Sequence, residues 1–311
     1  MTPASALLVA VGAALFFALA EISLRNALRF TTPATASILA VAVQWLTFTL
    51  ATAAAGKFSE LNPSGVRWFM LSGAVNPVLF LTFFLIGVQR IGIARSSPIK
   101  GSGPIFAVIF AAGFLGERLL PLQYLGIAFV VGGILIISTE GLGGIRPGAK
   151  VSSSIQRSPT GGDPVKPSTR MLDFLFPLLA AVAGGTASVL FKVSLGKMPS
   201  PLLGAWIGAS EGLLLLPLLA FLFPKEQRFR VRLPALPWLV LAGLTASVAF
   251  YGFILAIKLG QVSIVFTLAQ TSPLYVLLLS ALFLRQLERV TQRVVVGALL
   301  TVGGGVLVSL V

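Results

Sequence analysis

The sequence predicts an all-α polytopic membrane protein with ten transmembrane helices arranged as two inverted five-helix repeats, and three observations carry that expectation. First, 56% of the 311 residues are apolar or aromatic and 10% are charged, against about 45–50% and about 25% in an average soluble domain. With a mean hydropathy of +0.97, lipid is the solvent for most of the chain. Second, apolar runs occupy residues 4–24, 33–55, 66–88, 94–116, 119–139, 172–194, 201–223, 234–257, 262–284 and 291–311, each matching the roughly 20 residues that cross a bilayer core. Third, the chain matches itself at an offset of 171 residues.

The first run, from Ala4 to Leu24, is apolar from its start and ends on Glu21 and Arg25 rather than on a small-residue cleavage site. It is expected to remain as a span and not to be removed as a signal peptide. The second run opens at Pro33 and the third follows Pro63. The fourth contains SSPIKGSGP at 96–104, and the fifth is Gly-rich (YLGIAFVVGGILI, 124–136). Residues 140–171 then read as a flexible polar linker, because about half of 140–170 is Gly, Ser or Pro. The same succession returns in the last five runs, with TLAQTSP at 267–273 in the ninth and VVVGALLTVGGGVLV at 294–308 in the tenth. The expected units are therefore residues 1–139 and 172–311.

The self-match is ordered along the chain. AEISLRN at 20–26 lies over FKVSLGK at 191–197, Glu117-Arg118 over Glu288-Arg289, Gly126 over Gly297, and VGG at 131–133 over VGG at 302–304. With small insertions, Trp68 and Gly73 meet Trp238 and Gly243, and Pro104 meets Pro273. Five spans is an odd number, so the second copy enters the membrane from the opposite side. Inverted repeats place a binding site at their interface near mid-membrane and open it alternately to each side; a carrier follows.

Charge supports the same organisation. If all ten runs span, one set of alternate loops holds sixteen Lys and Arg and the other set five. The positive-inside rule then puts loop 140–170 in the cytoplasm and both termini outside. The net charge of +14 is accounted for by these loops, and no nucleic-acid partner is expected. The absence of Cys and His removes disulfides, thiol nucleophiles, zinc sites and imidazole relays. With only Asp163 and Asp173 as aspartates, both outside or at the edge of apolar runs, no metal, cofactor or enzymatic chemistry is expected. The expected partners are the bilayer and a small-molecule substrate, with protons as candidate coupling ions and the monomer as the working unit.

Two five-helix units, each with a Pro-containing fourth span, an acidic-basic turn (LGER at 115–118, LERV at 287–290) and a Gly-rich fifth span, resemble the EamA-type permeases of the drug/metabolite transporter superfamily. The resemblance covers nearly the whole chain except the linker. It implies a ten-helix exporter or facilitator of small metabolites in the bacterial inner membrane, amino-acid exporters among them, and it does not fix the substrate. The chain departs from the pattern in its longer linker and in a charge bias that puts the termini outside, where family members commonly keep them in the cytoplasm.

An ionisable group at mid-bilayer costs at least about 2.5–3.5 kcal/mol, which makes each one a site candidate. Glu211 lies near the middle of its span, Lys100 about two turns inside the fourth, and Glu21 and Lys192 toward the ends of the first and sixth. Glu21 and Lys192 occupy equivalent repeat positions, so they read as a charge pair holding the halves together, as coupling groups, or as residues snorkelling to the headgroups. Two acids and two bases suit a zwitterion such as an amino acid, and Glu211 is the candidate for proton coupling. Breaks at matching positions point to the binding site, which brings in Ser102, Gln270, Thr271 and Ser272 as cavity wall and Pro104 and Pro273 as kinks. Gln44, Asn76, Trp206 and Tyr251 complete the set as mid-span polar or aromatic residues. The competing readings are a proton-coupled exporter of lipophilic cations and a lipid-linked flippase.

Overall fold

The computed structural model describes residues 3–91, 96, 99–143, 171–220, 231–283 and 292–309. In the first half, α1 spans Pro3–Ala27, α2 Pro33–Ala54, α3 Pro63–Gly73, α4 Leu81–Ile91, α5 Gly103–Leu115 and α6 Pro121–Gly143. In the second, α7 spans Leu175–Lys197, α8 Pro201–Ala220, α9 Leu236–Leu259, α10 Val262–Ala269, α11 Ser272–Phe283 and α12 Gln292–Ser309. Prolines open α1, α2, α3, α6 and α8, where the missing N–H has no partner to lose. Thr32 and Asn62 cap α2 and α3, their side-chain oxygens accepting from the N–H groups of Thr35 (3.4 Å) and Gly65 (2.7 Å). Gly116, at φ +67°, takes the left-handed position that ends α5.

Helix covers most of the described part of every apolar run. Among the described residues, five stretches are long and apolar enough to cross a bilayer unaided: Ser5–Ala27, Thr35–Ala54, Leu172–Lys197, Pro201–Leu218 and Leu233–Leu259. Three of the remaining runs are interrupted. Between α3 and α4 the chain winds as a π-helix over Ala74–Phe80, around Asn76 and Pro77; proline removes a donor, and the wider turn takes up the mismatch. The fourth run breaks at Gly101-Ser102, where Ser102 Oγ donates to the Ile99 carbonyl (2.6 Å). The ninth breaks at Gln270-Thr271, where Thr271 Oγ1 donates to the Leu268 carbonyl (2.7 Å). These hydroxyls satisfy carbonyls that an unbroken helix would have used itself. Helix α6 runs to Gly143, four residues into the stretch read as linker; residues 144–170 of that linker and the LERV turn at 287–290 lie outside the described residues.

The packing partners of the two halves mirror one another. Helix α1 lies along α9 and touches α10 and α11, while its repeat counterpart α7 lies along α3, the π-helix and α4 and touches α5. Helix α2 faces its own counterpart α8, and α6 faces α12. Small residues set the approach. A Cβ on Gly126 would sit 2.7 Å from the Gly304 carbonyl oxygen, one on Gly304 2.7 Å from the Val130 nitrogen, and one on Gly185 2.7 Å from the Ala107 nitrogen. Backbones come this close only without side chains, which is how helices gain contact area in lipid.

Connections gather at two ends. At one, Arg232 N–H donates to the Phe30 carbonyl (3.3 Å) and Arg90 pairs with Asp173 (2.9 Å); this is the basic end. At the far end, Asn62 Nδ2 donates to the Lys197 carbonyl (3.4 Å) and Lys258 Nζ to the Pro199 carbonyl (2.7 Å). The α6–α12 contact yields a prediction with a built-in control. Gly304→Val forces a side chain into the α6 backbone and should cost about 1–3 kcal/mol, read as a lowered unfolding temperature in detergent. Gly303→Val, facing open space, should leave that temperature unchanged.

Candidate functional site

Between the halves lies a cavity of about 140 Å³. Helix α2 contributes Val41 and Gln44 to its wall, the end of α3 and the π-helix contribute Gly73 and Asn76, and α8 contributes Gly208, Ala209, Gly212 and Leu216. Phe191 of α7 and Phe250 of α9 complete it; their rings meet edge to face at 5.9 Å, and Phe191 packs on Phe69 at 6.4 Å. The wall is thus apolar and aromatic with two amides, the usual make-up of a small-molecule site.

Glu211 stands beside this wall. It is only 9% exposed, and its Oε2 is buried with no hydrogen-bond partner. The carboxylate rests on Gly73, in the space a Cβ there would take. Gly73 is therefore a positional requirement: any larger residue displaces the acid. A buried polar atom without a partner is costly and uncommon in native proteins, so an acid held this way beside a cavity is a functional-site candidate.

The other sequence-predicted residues divide. Gln44 and Asn76 face the cavity with Glu211 alongside. Trp206 is not part of the wall, its Nε1 donating to Thr49 Oγ1 (3.0 Å). Lys100 is elsewhere, its ammonium over the rings of Phe84 (4.7 Å) and Phe80 (5.7 Å). Neither Lys100 nor either ring is among the residues of the cavity wall. Ser102, Gln270, Thr271 and Ser272 sit at the two breaks, outside the cavity wall, as do Pro104 and Pro273 in the first turns of α5 and α11. Tyr251 is 37% exposed on the outer face of α9, because one residue turns the helix by about 100° from the cavity-facing Phe250.

Glu21 and Lys192 are not brought together. Lys192 Nζ donates to the carbonyls of Ile257 (2.6 Å) and Gly260 (2.8 Å), closing the C-terminal end of α9. Glu21 is exposed on α1. Sequence reasoning missed Phe191, Phe250 and Gly73 as wall residues. It also read Glu117 only as part of a turn, whereas its carboxylate accepts from Val262 N–H (2.6 Å), Ser263 N–H (3.1 Å) and Ser263 Oγ (2.7 Å) across the repeat boundary. The acidic-basic turn was the available signal for that contact.

A model of the EamA-like transporter family matches residues 4–139 and again residues 171–310. An uncharacterized transporter of Bacillus subtilis (strain 168), YcbK, is 35% identical over 71 residues, which is 23% of this chain and 22% of that protein. A protein of known crystal structure superposes with a TM-score of 0.78 at 18% identity, over 99% of this chain and 98% of the other, a likeness of fold. The double match accounts for the repeat read from the sequence and for the mirrored packing, and the chain, an integral membrane protein, belongs to the EamA-like transporter family.

Proposed function

We propose that this transporter carries a small organic metabolite bearing an ammonium group, an amino acid or similar zwitterion, by alternating access around the cavity, without enzymatic chemistry. The observation that carries the reading is the free Oε2 of Glu211 beside a wall containing Gln44 and Asn76. The carboxylate receives the ammonium, and the two amide NH₂ groups serve the substrate carboxylate. The volume supports the size class, since about 140 Å³ falls below the roughly 300–1,000 Å³ of drug-sized sites. A proton returning to Glu211 when substrate leaves couples the cycle to protons. The ten runs cross the bilayer in this reading, and the basic end, with loop 140–170, faces the cytoplasm of a bacterial cell.

A second reading, export of a small organic cation, is favoured by Phe191 and Phe250 and by a wall that holds no Lys or Arg. Thermal-shift screening of the purified protein separates the two. Stabilisation by amino acids supports the zwitterion; stabilisation by amines alone supports the cation. In reconstituted liposomes, Glu211→Gln should reduce uptake at least tenfold, since a charge-assisted hydrogen bond is worth about 1.5–3 kcal/mol; wild-type uptake would remove Glu211 from the site. Uptake indifferent to an imposed pH gradient removes proton coupling and leaves the carrier. Gly73→Ala should lower substrate affinity by displacing the carboxylate, while Tyr251→Phe should transport as wild type in the same assay.

A further inference from the structure

Helices α2 and α8 are joined by a closed circuit of hydrogen bonds. Trp45 Nε1 donates to Ser210 Oγ (3.1 Å), and Ser210 Oγ donates to the Trp206 carbonyl (2.8 Å). Trp206 Nε1 donates to Thr49 Oγ1 (3.0 Å), and Thr49 Oγ1 donates to the Trp45 carbonyl (2.8 Å). Each helix thus gives one indole and one hydroxyl to the other. Phe58, from the short 3₁₀ turn Lys57–Glu60 at the far end, meets the Trp206 ring edge to face at 5.2 Å. Trp45 and Ser210 stand level with the wall residues Gln44 and Ala209, while Thr49 and Trp206 lie on the far-end side of Gln44 and Gly208, between the cavity and that end. On the same side, Phe191 rests on the fully buried Phe69.

Further out at the far end, Glu117 ties α5 to α10. Its three accepted hydrogen bonds, two of them from N–H groups that an eight-residue helix leaves unpaired, are charge-assisted and reach from one repeat to the other. Lys192 and Lys258 behave differently, because each donates to carbonyls of its own repeat. Among the described side chains on the far-end side, Glu117, the Trp45–Trp206 circuit, Asn62 and the buried Ser72–Ser194 hydroxyl pair (3.0 Å) hold the halves to one another. Among the described residues of the basic end, the halves are joined by the Arg90–Asp173 pair, whose arginine side chain is 53% exposed, a setting in which ion pairs contribute little, and by the Arg232 N–H donated to the Phe30 carbonyl beside the Thr31–Val231 bridge.

Resting on the carrier reading above, we infer that the far end is a closed gate, with the Trp45–Trp206 circuit as its barrier and Glu117 as the latch that must release α10 before the cavity opens to that side. Glu117 acts here as a positioning residue: it touches no substrate and sets which face of the membrane the cavity meets.

The chain contains no cysteine, so a single introduced thiol reports unambiguously. Ala209→Cys in the cavity wall, in oriented vesicles, is labelled with a membrane-impermeant maleimide added from each side in turn. Labelling should be slow from the far end and faster from the basic end. Adding Glu117→Gln should raise the far-end rate about tenfold, which corresponds to about 1.4 kcal/mol of latch, with the basic-end rate unchanged. Ser263→Ala, which removes one of the three donors, should give a smaller rise in the same direction and serves if the first variant fails to fold.

A far-end rate in the parent no slower than the basic-end rate overturns the inference. So does a far-end rate that neither variant changes, or a rise from both ends equally, which marks general loosening. The readout needs no substrate: a gate that behaves as stated in a protein that moves no solute refutes the carrier reading alone, and uptake by a protein lacking the asymmetry refutes the gate alone.

Discussion

Lipid offers no hydrogen bonds, and that constraint organises the molecule. In water, a broken helix or an uncapped end is repaired by solvent; in the bilayer core every freed donor or acceptor must find protein. Ser102 and Thr271 accordingly turn back on the carbonyls of Ile99 and Leu268 at the two breaks. Lys192 spends its ammonium on the end of α9, and Glu117 spends its carboxylate on the start of α10. Against this economy, the unpartnered oxygen of Glu211 is the exception with a cavity beside it.

Close backbone approach is the second consequence of the same solvent. Helices in lipid gain little from hiding apolar side chains, because the tails are as apolar as leucine, so cohesion rests on dispersion and on shape. The glycines at 126, 185 and 304 serve that end by admitting a neighbouring backbone. Gly73 works differently, since the space it leaves is filled by a carboxylate instead of a helix. One residue type thus supplies both the adhesion between the repeats and the seat of the site.

Much of the fold is legible in the sequence, because apolar length and self-similarity are properties of the chain itself. The breaks are legible too, since Pro, Gly and Ser cluster where helices fail. The cavity wall is only half legible. Gln44, Asn76 and Glu211 stand out as polar groups in apolar runs, but Phe191 and Phe250 look like any other apolar residue, because lipid-facing and packed surfaces share one composition and periodicity carries no signal about facing. Tyr251 misled for the same reason, its hydroxyl drawing attention to the residue beside the one that faces inward. Lys192 misled because a buried ammonium suggests a counter-ion, whereas the end of a neighbouring helix supplies carbonyls with the same sign of field.

The exchange of first helices between the halves reaches beyond this chain's own stability. Because α1 lies along α9, and α7 along α3 and α4, each duplicated unit completes the packing of the other and cannot bury its own opening helix. A polypeptide carrying a single copy would therefore leave that helix without the partners it has here until a second copy supplied them. Fusion of two such genes would have required no new interface, only a tether between surfaces already fitted to each other.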